Sequence, residues 1–233
     1  MRVLITRPRE DAEETAAKLV ACGHTALVAP LIEIRFLDGP EISLEGIQAV
    51  LATSSNGVQA LARRTKRRDV PLFAVGAQTA RAARDAGFAR VKSADGDART
   101  LAAATVEWAK PTAGGLLHAA GIETKGQLAE SLSAQGFHIR TCELYDAVAV
   151  NTLPQEVLNA LNAGALDAVL LFSPRSARIF SECVVKAGAA GRCRSLMALC
   201  ISHAAANALS PLNFQAVRIA RRPDQTALLA ILG

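Results

Sequence analysis

The chain repeats itself, and that duplication limits what it can fold into more than any single motif does. Val3-Leu4-Ile5-Thr6-Arg7-Pro8 opens a unit that runs through a helical stretch to Leu19, turns at Gly23 and extends again to Pro30. Sliding by 113 residues, Leu116-Leu117-His118-Ala119-Ala120-Gly121 opens the same pattern, with Leu132, Gly136 and Glu143 in the matching places. A second unit, Ala49-Val50-Leu51-Ala52-Thr53-Ser54-Ser55-Asn56-Gly57-Val58, recurs 119 residues on as Ala168-Val169-Leu170-Leu171-Phe172-Ser173-Pro174-Arg175-Ser176-Ala177. A third, Phe73-Ala74-Val75-Gly76-Ala77-Gln78-Thr79-Ala80, returns after 126 residues as Leu199-Cys200-Ile201-Ser202-His203-Ala204-Ala205-Ala206. Three matches in one order, A-B-C-A-B-C, with slowly drifting offsets, read as an internal duplication.

Each unit is a short apolar strand, a polar or glycine-containing turn and a helical pattern. Such βα alternation implies parallel sheets with right-handed crossovers. The fold class expected is therefore α/β, with two similar doubly wound parallel-sheet lobes joined by a two-stranded linker. Strands are expected near residues 2–6, 25–29, 48–53, 72–75 and 90–92, then near 115–118, 138–142, 167–172, 197–201 and 215–219, five to a lobe. The repeat permits two partitions: two continuous halves, or a crossing after each unit A. The extended stretches Leu31-Ile32-Glu33-Ile34-Arg35-Phe36 and Leu144-Tyr145-Asp146-Ala147-Val148 suit paired linkers, which favours the second. That places a discontinuous terminal lobe at 1–33 plus 148–233, an inserted lobe at 36–144, and linker strands near 31–36 and 143–148.

Composition narrows the function classes. Apolar residues make up 51% of the 233 and charged residues 20%, a globular balance with core enough for one large or two small domains. No apolar run approaches the length of a membrane span, and the first seven residues turn polar too quickly for a signal peptide. The five cysteines are odd in number, scattered and without a CxxC, so buried free thiols in a reducing cytoplasm are expected. The four histidines lack HxxxH or HExxH spacing, so no metal site is expected. A net charge of +5 suits an anionic partner, but its density does not identify nucleic acid. The dense run Arg63-Arg64-Thr65-Lys66-Arg67-Arg68 lacks interleaved aromatics and reads as a solvated helix end, its cations complementing the helix dipole.

In open parallel sheets ligands bind beyond the carboxyl ends of the strands, where helices begin. Those ends carry Thr6-Arg7-Pro8, Thr53 to Gly57, Val75 to Thr79, Ala119 to Gly121, Phe172 to Ser176 and Ile201 to His203. Small, hydroxylic and occasionally basic, they are suited to gripping a small polyanion through N–H groups, hydroxyls and arginines. No GxGxxG follows the first strand, and no GxxxxGK[ST] or GxSxG occurs, which disfavours nucleotide, hydride-transfer and acyl-transfer enzymes. An enzyme built this way works by binding and shaping its substrate.

Thr6-Arg7-Pro8, Thr53-Ser54-Ser55-Asn56-Gly57-Val58, Ala74 to Ala80, Glu143-Leu144-Tyr145 and Phe172 to Ala177 together resemble the uroporphyrinogen-III synthase family, over essentially the whole chain. The resemblance implies a cofactor-free lyase of tetrapyrrole biosynthesis. Its substrate is hydroxymethylbilane, which loses water, inverts its last pyrrole ring through a spiro intermediate and closes to a macrocycle. It also implies Tyr145 as the hydrogen-bond partner of the departing hydroxyl, and Ser54, Thr79 and Ser173 as substrate contacts. Arg7 and Arg175 join them as cations at strand ends, and Asn56 and Ser202 as polar groups of the same turns. One departure stands out: Ser202-His203-Ala204-Ala205 occupies the turn where the family usually has glycine followed by hydroxyl residues, and an exposed His203 is expected there. A monomer with no membrane or nucleic-acid partner is the expectation. The alternatives are a non-enzymatic two-lobed receptor for a small polyanion, and a nucleic-acid binder using Arg63 to Arg68.

Overall fold

The computed structural model describes residues 1–124 and 126–232. The chain divides into two compact units, residues 1–33 with 148–233 and residues 34–147.

The terminal unit is a five-stranded parallel sheet. Its strands are β1 (Arg2–Ile5), β2 (Thr25–Val28), β9 (Ala168–Leu171), β10 (Met197–Cys200) and β11 (Ala216–Ile219), in the order β11-β10-β9-β1-β2. The second sheet, six-stranded and lying in the inserted unit but for the first two residues of β3 and the last two of β8, holds β3 (Ile32–Phe36), β4 (Ile47–Ala52), β5 (Leu72–Ala74), β6 (Val91–Ser93), β7 (Gly115–Gly121) and β8 (Ile139–Ala149), in the order β3-β8-β7-β4-β5-β6. Helices α1 (Arg9–Ala21), α6 (Gln155–Asn162), α7 (Pro174–Lys186), α8 (His203–Asn207) and α9 (Gln225–Leu229) serve the terminal unit. The inserted unit has α2 (Ser55–Arg64), α3 (Ala77–Asp85), α4 (Ala98–Trp108) and α5 (Gln127–Ser133).

The duplication is visible in the register of strand pairing. Val3, Leu4 and Ile5 stand opposite Ala168, Val169 and Leu170. Shifted by the sequence offsets of 113 and 119, those pairs become Leu116 with Ala49, Leu117 with Val50 and His118 with Leu51, which are the pairs observed. Ala198 opposite Val169 likewise maps onto Leu72 opposite Val50, and Ala198 opposite Val217 onto Leu72 opposite Val91. Side chains alternate between two buried faces in each sheet, as parallel strands covered by helices on both sides must. In the terminal unit Leu4 and Val169 join one core cluster and Val3, Ile5 and Leu170 the other. In the inserted unit Val50 and Leu117 face one way, Ala49, Leu51 and Leu116 the other.

Eight of the ten expected strands fall within a residue of the observed ones at each end. The others run longer, β7 to Gly121 and β8 to Ala149, the latter because the extended stretch after unit A continues as strand. Its counterpart after the first unit A is β3, a sixth strand added to the inserted sheet where five were expected. Leu37 N–H donates to Leu144 O and Val150 N–H to Leu31 O, so the two extended stretches run antiparallel. Of the cysteines, Cys183, Cys193 and Cys200 are buried as expected, Cys142 is half-buried, and Cys22 is exposed. Cys22 caps α1 just before the Gly23 turn, where the chain is already leaving the core. Burial pushes the Cys193 thiol up to about 11 and Cys200 up to about 12, which leaves both as inert core groups.

Candidate active site

The turn after β4 is built by one serine. Ser54 is the N-cap of α2, and its Oγ accepts the Gly57 N–H at 3.1 Å, satisfying a donor that the helix itself cannot. The same Oγ lies 2.9 Å from the Tyr145 hydroxyl. Tyr145 reaches it through a β-bulge: Ala120 stands opposite Glu143, but Gly121 stands opposite Tyr145, so Leu144 is the extra residue. Bulges of this kind re-aim a side chain, and here the half-buried ring of Tyr145 lies against Gly121. A Cβ on Gly121 would sit 2.8 Å from Tyr145 Cζ and 3.2 Å from its hydroxyl oxygen, so only glycine admits the ring. Gly57 is constrained in the same way, since its Cβ would fall 2.4 Å from Ala119 O, a backbone atom that cannot swing aside. Helix α2 therefore seats directly on β7, next to the strand end that receives Tyr145.

Beneath this turn, Thr53 Oγ1 lies 3.4 Å from His118 Nε2. His118 is 1% exposed, and burial pushes its pKa down to about 4, so the imidazole is neutral at physiological pH. Asn56 is half-buried in the first turn of α2, and Thr79 is buried in the first turn of α3. That helix opens at Gly76, which has no side chain to cap it, so its leading N–H groups keep no side-chain acceptor from the cap.

The terminal unit builds the corresponding turn differently. Ser173 caps α7 by accepting the Ser176 N–H at 3.0 Å, and its Oγ pairs with Ser176 Oγ at 2.8 Å. Ser202 caps α8, accepting the Ala205 N–H at 3.3 Å, and His203 beside it is exposed. Arg175 is half-buried at the start of α7. Arg7 is held by its own unit: Nη1 donates to Gln225 Oε1 at 2.6 Å, and Nη2 pairs with Asp11 Oδ2 at 3.1 Å. Its guanidinium also stacks 4.3 Å over the Phe172 ring. The structure thus joins Ser54 to Tyr145 directly, and sets Arg7, Ser173 and Ser202 just beyond the carboxyl ends of the adjacent strands β1, β9 and β10.

Sequence reasoning missed His118, Gly121 and the Asp11–Arg7–Gln225 network. A signal for Gly121 was present: it matches Pro8 in the repeat, and a glycine at a strand end suggests close approach of another group. The Arg63 to Arg68 run is more than a solvated helix end. Arg63 stacks 3.9 Å over Phe36, Arg64 donates to Leu37 O and Pro40 O, and Arg68 donates to Ala62 O, Thr65 O and Ala86 O. Arg67 pairs with Asp69 at 2.7 Å. These cations terminate α2 and tie down its neighbouring loops. Among the described residues no helix is long and apolar enough to cross a membrane, and no cluster of His, Cys, Asp and Glu could hold a metal ion.

The strand order repeats in the two units and places polar turns at the carboxyl ends, as in the small-molecule sites of doubly wound α/β proteins. The particular kind is set by comparison with known proteins. The family model for uroporphyrinogen-III synthase (HemD) matches residues 13–230, and the chain belongs to that family. The fold is similar to that of uroporphyrinogen-III synthetase from Helicobacter pylori, at 17% identity and a TM-score of 0.64, covering 100% of this chain and 98% of that one. It is also similar to a mutant uroporphyrinogen III synthase from Thermus thermophilus, at 17% identity and a TM-score of 0.52, covering 100% and 97%. No curated protein sequence matches the chain.

Proposed function

We propose that the chain converts hydroxymethylbilane to uroporphyrinogen III, acting as a cofactor-independent cyclising lyase, with Tyr145 as its catalytic residue. Membership of the family supports the reaction, and one observation supports the residue: a half-buried phenol, fixed at 2.9 Å from the N-cap serine of α2. The C–O bond of the hydroxymethyl group breaks with its electron pair on oxygen, pushed by the pyrrole nitrogen. A hydrogen bond from Tyr145 stabilises the charge growing on that oxygen, which leaves as water. The substituted carbon of the last ring attacks the freed methylene, and the resulting spiro intermediate opens and recloses with that ring inverted. The proton lost from carbon at the end balances the one taken up by the departing hydroxyl.

The pyrroles are electron-rich enough to expel hydroxide with little help, and closure without inversion is the spontaneous competitor. The protein's main task is therefore orientation. The uncapped start of α3 and the hydroxyl of Ser202 offer anchors for the substrate's carboxylates, with Asn56, Thr79 and Arg175 at the starts of α2, α3 and α7. Arg7, already oriented by Asp11 and Gln225, presents a fixed cation and loses little entropy on binding. The free thiols fit a cytoplasmic protein, and the engagement of Arg64 and Arg68 with their own backbone argues against a nucleic-acid role.

The test is a coupled assay supplying fresh hydroxymethylbilane and resolving the two product isomers. Type III product in excess over type I is expected. Only type I above the spontaneous background would overturn the reading, and substrate binding without turnover would leave a polyanion receptor in its place.

A further inference from the structure

The hydrogen bond between Ser54 and Tyr145 has a direction, and that direction decides whether the phenol is useful. Ser54 Oγ already accepts the Gly57 N–H at 3.1 Å. A hydroxyl that accepts from a backbone donor is polarised to donate its own proton onward, and chains of bonds running head to tail reinforce one another. If Tyr145 donated instead, Ser54 would accept twice, and the phenol proton would point away from any ligand. The head-to-tail chain runs Gly57 N–H to Ser54 O–H to Tyr145 O–H, and starts at the positive end of a ten-residue helix.

We infer that Ser54 is a positioning residue for Tyr145: it donates to the phenol oxygen, so that the phenol's own O–H is left free for the hydroxyl departing from the substrate. Steric fit fixes the other coordinate, because Gly121 lets the ring lie flat at the strand end and Gly57 seats the helix that carries the serine. Ser54 thereby serves as a helix cap and as the element that sets the orientation of the phenol proton, roles that a substrate contact alone would not require. The inference rests on the catalytic role proposed for Tyr145 and concerns how that role is set up.

Ser54→Asp separates the two functions. Aspartate is a good N-cap, so α2 keeps its first bond. A carboxylate only accepts, so it draws the Tyr145 proton inward and reverses the chain. The expected result is a fall in kcat on the order of tenfold, the worth of one hydrogen bond to developing charge, with Tm nearly unchanged. Ser54→Ala should lose a similar factor in kcat, and Ser54→Thr should restore most of it. Combining Ser54→Asp with Tyr145→Phe should add nothing to the loss of Tyr145→Phe alone. Tyr145 is the single tyrosine of the chain, so 13Cζ-tyrosine labelling gives one resonance, which should shift in Ser54→Asp and Ser54→Ala and return in Ser54→Thr. An unmoved resonance, or unchanged kcat in Ser54→Asp while Tyr145→Phe is slow, overturns the positioning role alone. Unchanged turnover in Tyr145→Phe overturns the catalytic reading itself. Should Ser54→Asp not fold, the resonance and kcat of Ser54→Ala decide in the same way.

Discussion

The turns after β4 and β9 are copies of one another, and they have diverged in a consistent direction. Ser54 and Ser173 occupy matching places, each capping its helix. Three residues on, the inserted unit has Gly57 and the terminal unit Ser176. In the terminal unit the capping hydroxyl is spent on its neighbour, Ser173 Oγ to Ser176 Oγ, and the turn is closed on itself. In the inserted unit there is no such neighbour, and the hydroxyl is turned to Tyr145. The same holds one strand over. His118 and Thr53 stand where the other copy has Ile5 and Phe172, and Gly121 and Tyr145 stand where it has Pro8 and Ile32. One copy has a buried imidazole and an oriented phenol, while the other has an apolar strand end and Arg7 stacked on Phe172. Duplication supplied two equivalent frameworks, and substitutions at a few matching positions set their chemistry apart.

Exchanging residues between the copies tests that account. The largest effect expected is from Gly57→Ser, which gives the inserted turn the residue of the terminal one. Its Cβ would meet Ala119 O at 2.4 Å, so either α2 or β7 must move, at a cost of about 3 kcal/mol. Chemical denaturation should show that loss; a stable variant with wild-type turnover would mean that the close seating of α2 is not required.

His118 comes next. Its pKa is about 4 in the folded protein against about 6.5 when unfolded, so between those values the unfolded chain binds the extra proton. Stability from this group is complete above about pH 6.5 and is lost as pH falls towards 4, by up to about 3 kcal/mol at ~1.4 kcal/mol per unit. His118→Ile, copying Ile5, should flatten the stability profile across that window. A slope that persists unchanged would assign it to other groups.

Gly121→Ala is a smaller change with a more local reading. It should displace the Tyr145 ring and lower turnover about as much as Tyr145→Phe, on the order of tenfold, while denaturation shifts by about 1 kcal/mol. Full activity would show that the ring need not lie at that strand end. The smallest effect is that of Ser173→Ala, which removes a helix cap worth ~1 kcal/mol. Turnover should fall less than in Ser54→Ala, because no phenol depends on this serine; an equal fall would show that the two turns still share one function.

Much of this is legible in the amino-acid sequence alone. The strand positions followed from short apolar runs ending in Ser, Thr or Gly, because a strand buried on both faces has no other way to be written. The placing of Ser54, Ser173 and Ser202 at helix starts followed from the preference of small hydroxylic residues for such positions. Arg7 was legible as a strand-end cation, but its commitment to Asp11 and Gln225 was not, since Gln225 lies 218 residues away in sequence. The linker strand near 31–36 was legible, but that it joins the inserted sheet as β3 was not: an edge strand is defined by the partner it pairs with, and Ile32 to Phe36 finds its partner beyond residue 138.

By itself, then, the sequence determined the repeat, the α/β class and the strand ends at which chemistry could be placed, because these depend on local pattern and on comparing the chain with itself. Tertiary structure decided which copies share a sheet: β1 and β2 join β9 to β11, while β7 and β8 join β4 to β6. It also decided what each turn residue does with its hydroxyl. A capping serine is written the same way in both copies, and only the approach of Tyr145, through a bulge and past a glycine that leaves room for its ring, distinguishes the one that can orient a reacting group from the one that simply ends a helix.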